Sequence, residues 1–66
     1  LAAGFAPAEV RFALVRNERH EDHAVAEVLG QVKGRPVTVI LDNRFSWTQT
    51  RAVLESYGYR WLVETP

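Results

Sequence analysis

The chain has 66 residues and a formal net charge of zero, and it contains no Cys. This length allows at most one small domain, and a neutral chain lacks the long-range field that attracts nucleic acid or an anionic membrane. No apolar run approaches the ~20 residues of a membrane span, and without Cys these residues hold neither a disulfide nor a thiol nucleophile.

The first five residues, LAAGF, are typical of the end of a helix. Good helix formers precede Gly4, which suits the left-handed position after a last turn, and Phe5 supplies the apolar contact that closes the motif. Three residues are too few to nucleate a helix alone. The pattern therefore favours a chain that is the C-terminal part of something longer, and a frayed N-terminal tail is the alternative.

A first hairpin is predicted after a turn at residues 7–9. Residues 10–16 alternate well enough between apolar and polar side chains to be a strand, and the charged residues 17–21 form the loop that follows. Antiparallel pairing across this loop places Arg11 opposite Glu27, and this charge match favours the register.

A second hairpin, over residues 22–43, is the stretch around which the chain is organised. Two apolar-rich runs flank a turn with two glycines, Gly30 and Gly34. If residues 31–34 form the loop, His23 lies directly opposite Asp42, close enough for the carboxylate to hydrogen-bond an imidazole nitrogen. The sequence therefore predicts a His–Asp pair across neighbouring strands.

The two hairpins sort the side chains of the sheet onto two faces. The first, which we call the apolar face, is predicted to be the core and consists of Val10, Phe12, Leu14, Ala24, Ala26, Val28, Val37, Val39 and Leu41. The second, the mixed face, consists of Arg11, Ala13, Val15, His23, Val25, Glu27, Thr38, Ile40 and Asp42. Apolar members of the mixed face cluster beside the His and Asp, which suggests a cover that this chain does not supply.

A short helix and a closing strand are predicted in the last third of the chain. Residues 46–49, SWTQ, fit a capping box. A stripe at helical spacing follows, made of Trp47, Thr50, Leu54 and Tyr57. Gly58 stops the helix, and residues 59–64 alternate as a strand. The predicted fold is α+β, a small and mainly antiparallel sheet in the order β-β-β-α-β, in a single small domain over residues 1–66.

The predicted pair of His23 and Asp42 matches two parts of a constellation of nucleophile, base and orienting acid. One imidazole nitrogen would face the nucleophile while the other donates to the carboxylate, which stabilises the imidazolium that forms. A purely structural hydrogen bond is the alternative, because His and Asp residues in a hairpin often pair. The hydroxyls soon after Asp42 belong to Ser46, Thr48 and Thr50, and they fit helix capping and surface positions better than the role of a nucleophile.

Three segments carry a resemblance to a known family: residues 21–25 (EDHAV), residues 39–43 (VILDN) and residues 57–61 (YGYRW). Together they resemble the C-terminal half of the bacterial transglutaminase-like cysteine peptidases. The segment at residues 4–11 (GFAPAEVR) is similar to the stretch that enters that half. The resemblance covers nearly all of this chain but only part of the family's domain.

This resemblance implies a papain-like α+β fold, in which a Cys at the start of a helix works with a His and an Asp on successive strands. His23 would be the general base and Asp42 the orienting acid, with a protein or peptide as substrate and no cofactor. The Cys of the family lies upstream of the matched segments, so these residues would be inactive alone. The chain would be either the C-terminal part of a larger peptidase domain or a shortened relative without activity. The resemblance also suggests a bacterial protein that is exported or periplasmic.

Other roles for the polar and aromatic residues are weaker. His20, Asp22 and His23 do not form a convincing metal site, because residues three apart on a strand point to opposite faces and a fourth strong ligand is missing nearby. Asn43 fits a turn better than a role in orienting the loop after Asp42. Four aromatic residues are predicted to be core, with a substrate groove as the alternative: Trp47, Tyr57, Tyr59 and Trp61.

A function of another class also fits the pattern. A small non-catalytic module could bind a protein partner, or form a homodimer, through an exposed sheet face or an edge strand. In that case the His–Asp pair would only stabilise the hairpin.

Overall fold

A computed structural model describes residues 4–65 of the chain. It contains the strands β1 (Phe5–Arg16), β2 (Asp22–Val32), β3 (Arg35–Leu41) and β4 (Arg60–Glu64), and the helix α1 (Arg51–Ser56), which lies between β3 and β4. The strands form one antiparallel sheet in the order β3-β2-β1-β4. The predicted α+β class and the order β-β-β-α-β are therefore confirmed.

The first hairpin has the predicted register, with Arg16 paired with Asp22 and Arg11 paired with Glu27. However, β1 begins earlier than predicted. The expected turn at residues 7–9 is instead part of the strand, where the register shifts between Pro7 and Glu9. Pro lacks a backbone N–H, and a bulge allows the strand to continue past it. The helix end predicted at residues 1–3 lies outside the described residues, whereas Gly4 has the expected positive φ of 83°.

The second hairpin turns more tightly than predicted. Its loop has two residues, Lys33 and Gly34, with φ values of 51° and 78°. Positive φ at both positions is the signature of a type I′ turn, whose twist matches that of the strands. As a result Gly30 pairs with Val37 rather than with Arg35, and the predicted register was wrong by two residues. A shift of two preserves the face on which each side chain lies, because side chains alternate with a period of two.

The core lies on the mixed face, so the prediction that the apolar face is buried was wrong. The buried cluster consists of Ala13, Val15, Val25, Ile40, Leu54 and Tyr59, with Phe45 and Trp61 packed against it. After β3, Gln49 first pairs with the edge of the sheet, where it exchanges two backbone hydrogen bonds of 2.7 and 3.0 Å with Ile40. Because β3 and β4 lie at opposite edges, the chain between them then crosses the mixed face. This crossing brings Leu54 of α1 over the sheet, so the mixed face needs no further cover over Val15, Val25 and Ile40.

The apolar face is largely open to solvent. Phe12 at its centre is 56% exposed, and Val10, Leu14 and Leu41 are exposed as well. Val63 of β4 pairs with Leu14 and extends this surface. One short helix covers only one side of a four-stranded sheet, and here it covers the side that carries His23 and Asp42.

The helix begins later than predicted, and only part of the aromatic set is core. Thr50 caps α1, and its side-chain oxygen accepts a hydrogen bond from the backbone N–H of Val53 at 3.3 Å. The capping box predicted at residues 46–49 was therefore wrong. Tyr59 is buried and Trp61 packs against the core, as predicted, but Tyr57 is exposed and Trp47 is 63% exposed.

Candidate functional site

His23 and Asp42 lie together on the mixed face, although they are not directly opposite one another. His23 is the second residue of β2, and Asp42 follows the last residue of β3. His23 Nε2 lies 3.1 Å from Asp42 Oδ2. The side chain of Asp42 is 1% exposed, whereas that of His23 is 29% exposed. The pair thus combines a buried carboxylate with an imidazole that solvent can reach.

Besides His23, two donors hold the carboxylate of Asp42. Tyr59 Oη donates to Oδ2 at 2.6 Å, and the backbone N–H of Arg44 donates to Oδ1 at 3.0 Å. The second bond is an Asx turn, which forms because the chain leaves β3 at this point. The backbone N–H of Phe45 donates to the Asp42 carbonyl at 3.0 Å and completes the turn. These bonds leave the carboxylate little freedom to rotate.

Hydrogen bonds also keep this carboxylate charged. Burial by itself raises the pKa of Asp42, but the hydrogen bonds from Tyr59, from the Arg44 backbone and from His23 outweigh burial and leave the pKa below its usual range. An ionised carboxylate accepts hydrogen bonds and cannot donate them. It can therefore orient a neighbouring imidazole and stabilise the imidazolium form of that ring.

Tyr59 is the residue of the site that the sequence did not assign. Its ring is buried and lies edge-on to the His23 ring, with centroids 5.8 Å apart and an interplanar angle of 88°. The alternation of the closing strand predicts that Tyr59 points inward, and a buried Tyr hydroxyl needs a hydrogen-bond partner. The pattern does not identify that partner, because the end of β3 and the residue after Gly58 meet only in the folded chain.

An ion pair of Arg44 and Glu18 flanks the site. Arg44 Nη1 is bonded to Glu18 Oε1, and it also lies 3.4 Å from Tyr59 Oη. The hydrogen bond from Arg44 lowers the pKa of Glu18 to about 2, so this carboxylate is also charged near neutral pH. In the loop that carries Glu18, Asn17 is buried, and its side-chain oxygen accepts hydrogen bonds from the backbone N–H groups of Arg19 and Glu21.

Two depressions border the pair of His23 and Asp42. One has a volume of 480 Å³ and is lined by Asn17, Arg19, Glu21, His23, Ala24, Asp42, Asn43 and Arg44. The other has a volume of 680 Å³ and is lined by Leu41, Asp42, Asn43, Phe45, Ser46, Trp47 and Thr48. Because His23 lines the first depression, there is room for another group to approach the imidazole from that side.

Within residues 4–65, no Ser or Thr hydroxyl is hydrogen-bonded to His23. Thr50 caps α1, which agrees with the predicted role of this hydroxyl. Asn43 is exposed. The geometry therefore provides a base and an orienting acid, and the described part of the chain adds no hydroxyl nucleophile to them.

No protein-family model, curated protein or solved structure matches this chain. Among the described residues, no group of three or more His, Cys, Asp or Glu could hold a metal ion. Within residues 4–65, no helix is long and apolar enough to cross a membrane. The function is therefore inferred from the residues of the site and their geometry.

Proposed function

We propose that His23 and Asp42 are the general base and the orienting acid of a cysteine peptidase site similar to that of the bacterial transglutaminase-like peptidases. In this proposal the chain is the C-terminal part of a larger papain-like α+β domain. A segment outside these 66 residues supplies the Cys, and proteins or peptides are the substrates. The same resemblance points to an exported or periplasmic protein.

One observation carries the proposal: His23 Nε2 lies 3.1 Å from a buried, charged Asp42 carboxylate that two further donors hold in place. Because the carboxylate can only accept, Nε2 donates to it and the lone pair of the neutral ring is on Nδ1. No hydrogen bond to Nδ1 is found within residues 4–65. A lone pair on a partly exposed ring, beside a 480 Å³ depression, is the arrangement that a general base needs.

The chemical steps follow from this arrangement. Nδ1 takes the proton of the thiol, and the thiolate sulfur attacks the carbonyl carbon of the peptide bond. The imidazolium then gives this proton to the leaving amine, and a thioester links the acyl part of the substrate to the Cys. Water attacks the thioester with Nδ1 as base, which releases the carboxylic acid and restores the thiol. Asp42 stabilises the imidazolium in both halves of the cycle.

The experiment is to express the full coding region that contains these residues and to assay hydrolysis of casein with and without iodoacetamide. We expect hydrolysis that iodoacetamide abolishes. His23→Ala should lower its rate by at least about 10³-fold, because the base and the nucleophile act as one unit and the loss of either removes most of the rate enhancement. His20→Asn is the matched control. His20 lies in the loop before β2 with a φ of 61°, a conformation that Asn tolerates. The substitution His20→Asn should therefore leave the rate of hydrolysis unchanged. Activity that persists in His23→Ala would defeat the proposal.

The open apolar face supports a second candidate, a protein-interaction module. Val10, Phe12, Leu14, Leu41 and Val63 are exposed on one side of the sheet, and a continuous apolar surface of this kind commonly marks an interface. Sedimentation equilibrium of the 66-residue chain tests self-association. A dimer that Phe12→Ser dissociates, and that Val53→Ser on α1 does not, would support the module. A monomer at every concentration would count against a homodimer.

A further inference from the structure

The hydroxyl of Tyr59 lies at the centre of a chain of polar contacts that joins the loop before β2 to His23. Gly58, with a φ of 108°, ends the helix, and the backbone N–H of Tyr59 donates to the Leu54 carbonyl at 3.0 Å. The backbone is thus fixed where the ring enters the core. The ring is 3% exposed, and its hydroxyl reaches both Asp42 and Arg44.

The contacts determine in which direction the Tyr59 proton points. A guanidinium has donors only, so Arg44 Nη1, at 3.4 Å from Oη, donates to the phenol oxygen. The single proton of the phenol is then left for Asp42 Oδ2, at 2.6 Å. The ion pair with Glu18 holds the guanidinium beside the phenol oxygen. Tyr59 is therefore a donor to Asp42, and it cannot accept a proton from that side of the site.

The same carboxylate oxygen receives His23 Nε2 at 3.1 Å. With Tyr59 donating to Oδ2 and the Arg44 backbone donating to Oδ1, Asp42 stays ionised and keeps one orientation. We propose that Tyr59 is a positioning residue: through Asp42, it holds His23 in the tautomer that carries its proton on Nε2 and its lone pair on Nδ1. The catalytic meaning of this role rests on the proposed function, whereas the hydrogen-bond geometry does not.

The charges of the neighbouring groups agree with this direction of donation. Burial raises the pKa of Asp42, and among the groups that lower it the Tyr59 hydrogen bond is the strongest. Burial and the bond to Asp42 together raise the pKa of Tyr59, so the phenol keeps its proton. The groups that face Asp42 are His23 from β2, Tyr59 from the segment before β4, and Arg44, with Glu18 behind the guanidinium.

The test compares Tyr59→Phe with Tyr57→Phe in the 66-residue chain. Tyr57 is the matched control because it is 49% exposed and lies outside the site. The ¹⁵N shifts of the His23 ring at alkaline pH report the tautomer, and the ¹³Cγ shift of Asp42 reports its titration. We expect a single tautomer with the proton on Nε2 in the wild type and in Tyr57→Phe. In Tyr59→Phe, we expect a measurable population of the other tautomer and an Asp42 pKa that rises toward its usual range, because the strongest hydrogen bond that lowers it is lost.

A folded Tyr59→Phe with an unchanged tautomer and an unchanged Asp42 titration would overturn the proposal, because Tyr59 would then only fill space. A wild-type ring with its proton on Nδ1 would overturn it as well. If Tyr59→Phe does not fold, replacing Tyr59 with 3-fluorotyrosine decides. This change leaves the core ring in place and makes the phenol a stronger donor, so the pKa of Asp42 should fall further below its usual range, and an unchanged Asp42 titration would overturn the proposal. These measurements need no peptidase activity, so a failure of the proposed function would leave their outcome unaffected.

Discussion

Replacing Asp42 with Asn removes the charge of the site while keeping its size. An Asn side chain has one acceptor oxygen, whereas Asp42 accepts on both oxygens. If the amide NH₂ occupies the Oδ2 position, it meets the Tyr59 hydroxyl and His23 Nε2; if it occupies the Oδ1 position, it meets the Arg44 N–H. In either orientation a buried donor loses its partner, which costs about 1–3 kcal/mol.

This cost is large for so small a domain. A 66-residue domain has a stability of roughly 3–10 kcal/mol, and each kcal/mol moves the Tm of a chain of this size by about 4–8 °C. Urea and thermal unfolding at pH 7, followed by circular dichroism, should therefore show Asp42→Asn at least about 5 °C below the wild type. The matched control is Asp22→Asn, which breaks the exposed ion pair with Arg16 and should lower the Tm much less, because solvent screens exposed ion pairs.

The pH dependence provides a further check. Because the pKa of Asp42 is lower in the folded chain than its usual value, its contribution to stability is present above the usual Asp range. It is lost as the pH falls through the lowered value. The difference in the free energy of unfolding between wild type and Asp42→Asn should therefore become smaller as the pH falls below the usual pKa range of Asp. Equal stabilities of Asp42→Asn and Asp22→Asn at pH 7 would refute the reasoning.

Three further changes test the fold around the site. Leu54→Ala should cost about 2–5 kcal/mol in urea unfolding, because Leu54 is fully buried, whereas Val53→Ala on the exposed side of α1 should cost much less. At pH values above the usual pKa of Glu, Glu27→Gln should raise the free energy of unfolding, and this gain should disappear at lower pH. The reason is that burial raises the pKa of Glu27, so its charged form opposes folding. The side-chain oxygen of Gln can still accept the hydrogen bond from Trp61 Nε1. Lys33→Asn should raise stability by about 0.5–1 kcal/mol, because Lys33 has a φ of 51° and Asn tolerates this conformation in a type I′ turn. An unchanged urea midpoint in any of the three would contradict the corresponding argument.

The hairpins show how far the sequence predicts the fold. Alternation and the charge match of Arg11 with Glu27 were sufficient for the first register, because its loop length follows from a run of charged residues. The second register depended on whether the turn held two residues or four, and the positive φ of Lys33 is not evident from its residue type. The period of two still placed His23 and Asp42 on the same face, so the two residues were correctly predicted to lie together although the predicted loop was two residues too long.

The buried face and the role of Tyr59 could not be predicted in the same way. Alternation defines which side chains share a face, but the path of the chain from β3 to β4, at opposite edges of the sheet, decides which face is covered. Likewise, the hydrogen bond from Tyr59 to Asp42 joins two segments that meet only through the order of the strands. Local patterns carry no information on such contacts.

The reactivity of the missing thiol tests the central claim most directly. In the product of the full coding region, the rate at which iodoacetamide alkylates each Cys can be measured at about pH 6, where an ordinary thiol is almost entirely protonated. Pairing with His23 should make one Cys react at least about tenfold faster than the same Cys in His23→Ala, because the imidazolium stabilises its thiolate. Equal rates in the two proteins, or a full product without Cys, would contradict the assignment of His23 and Asp42 to a cysteine peptidase site.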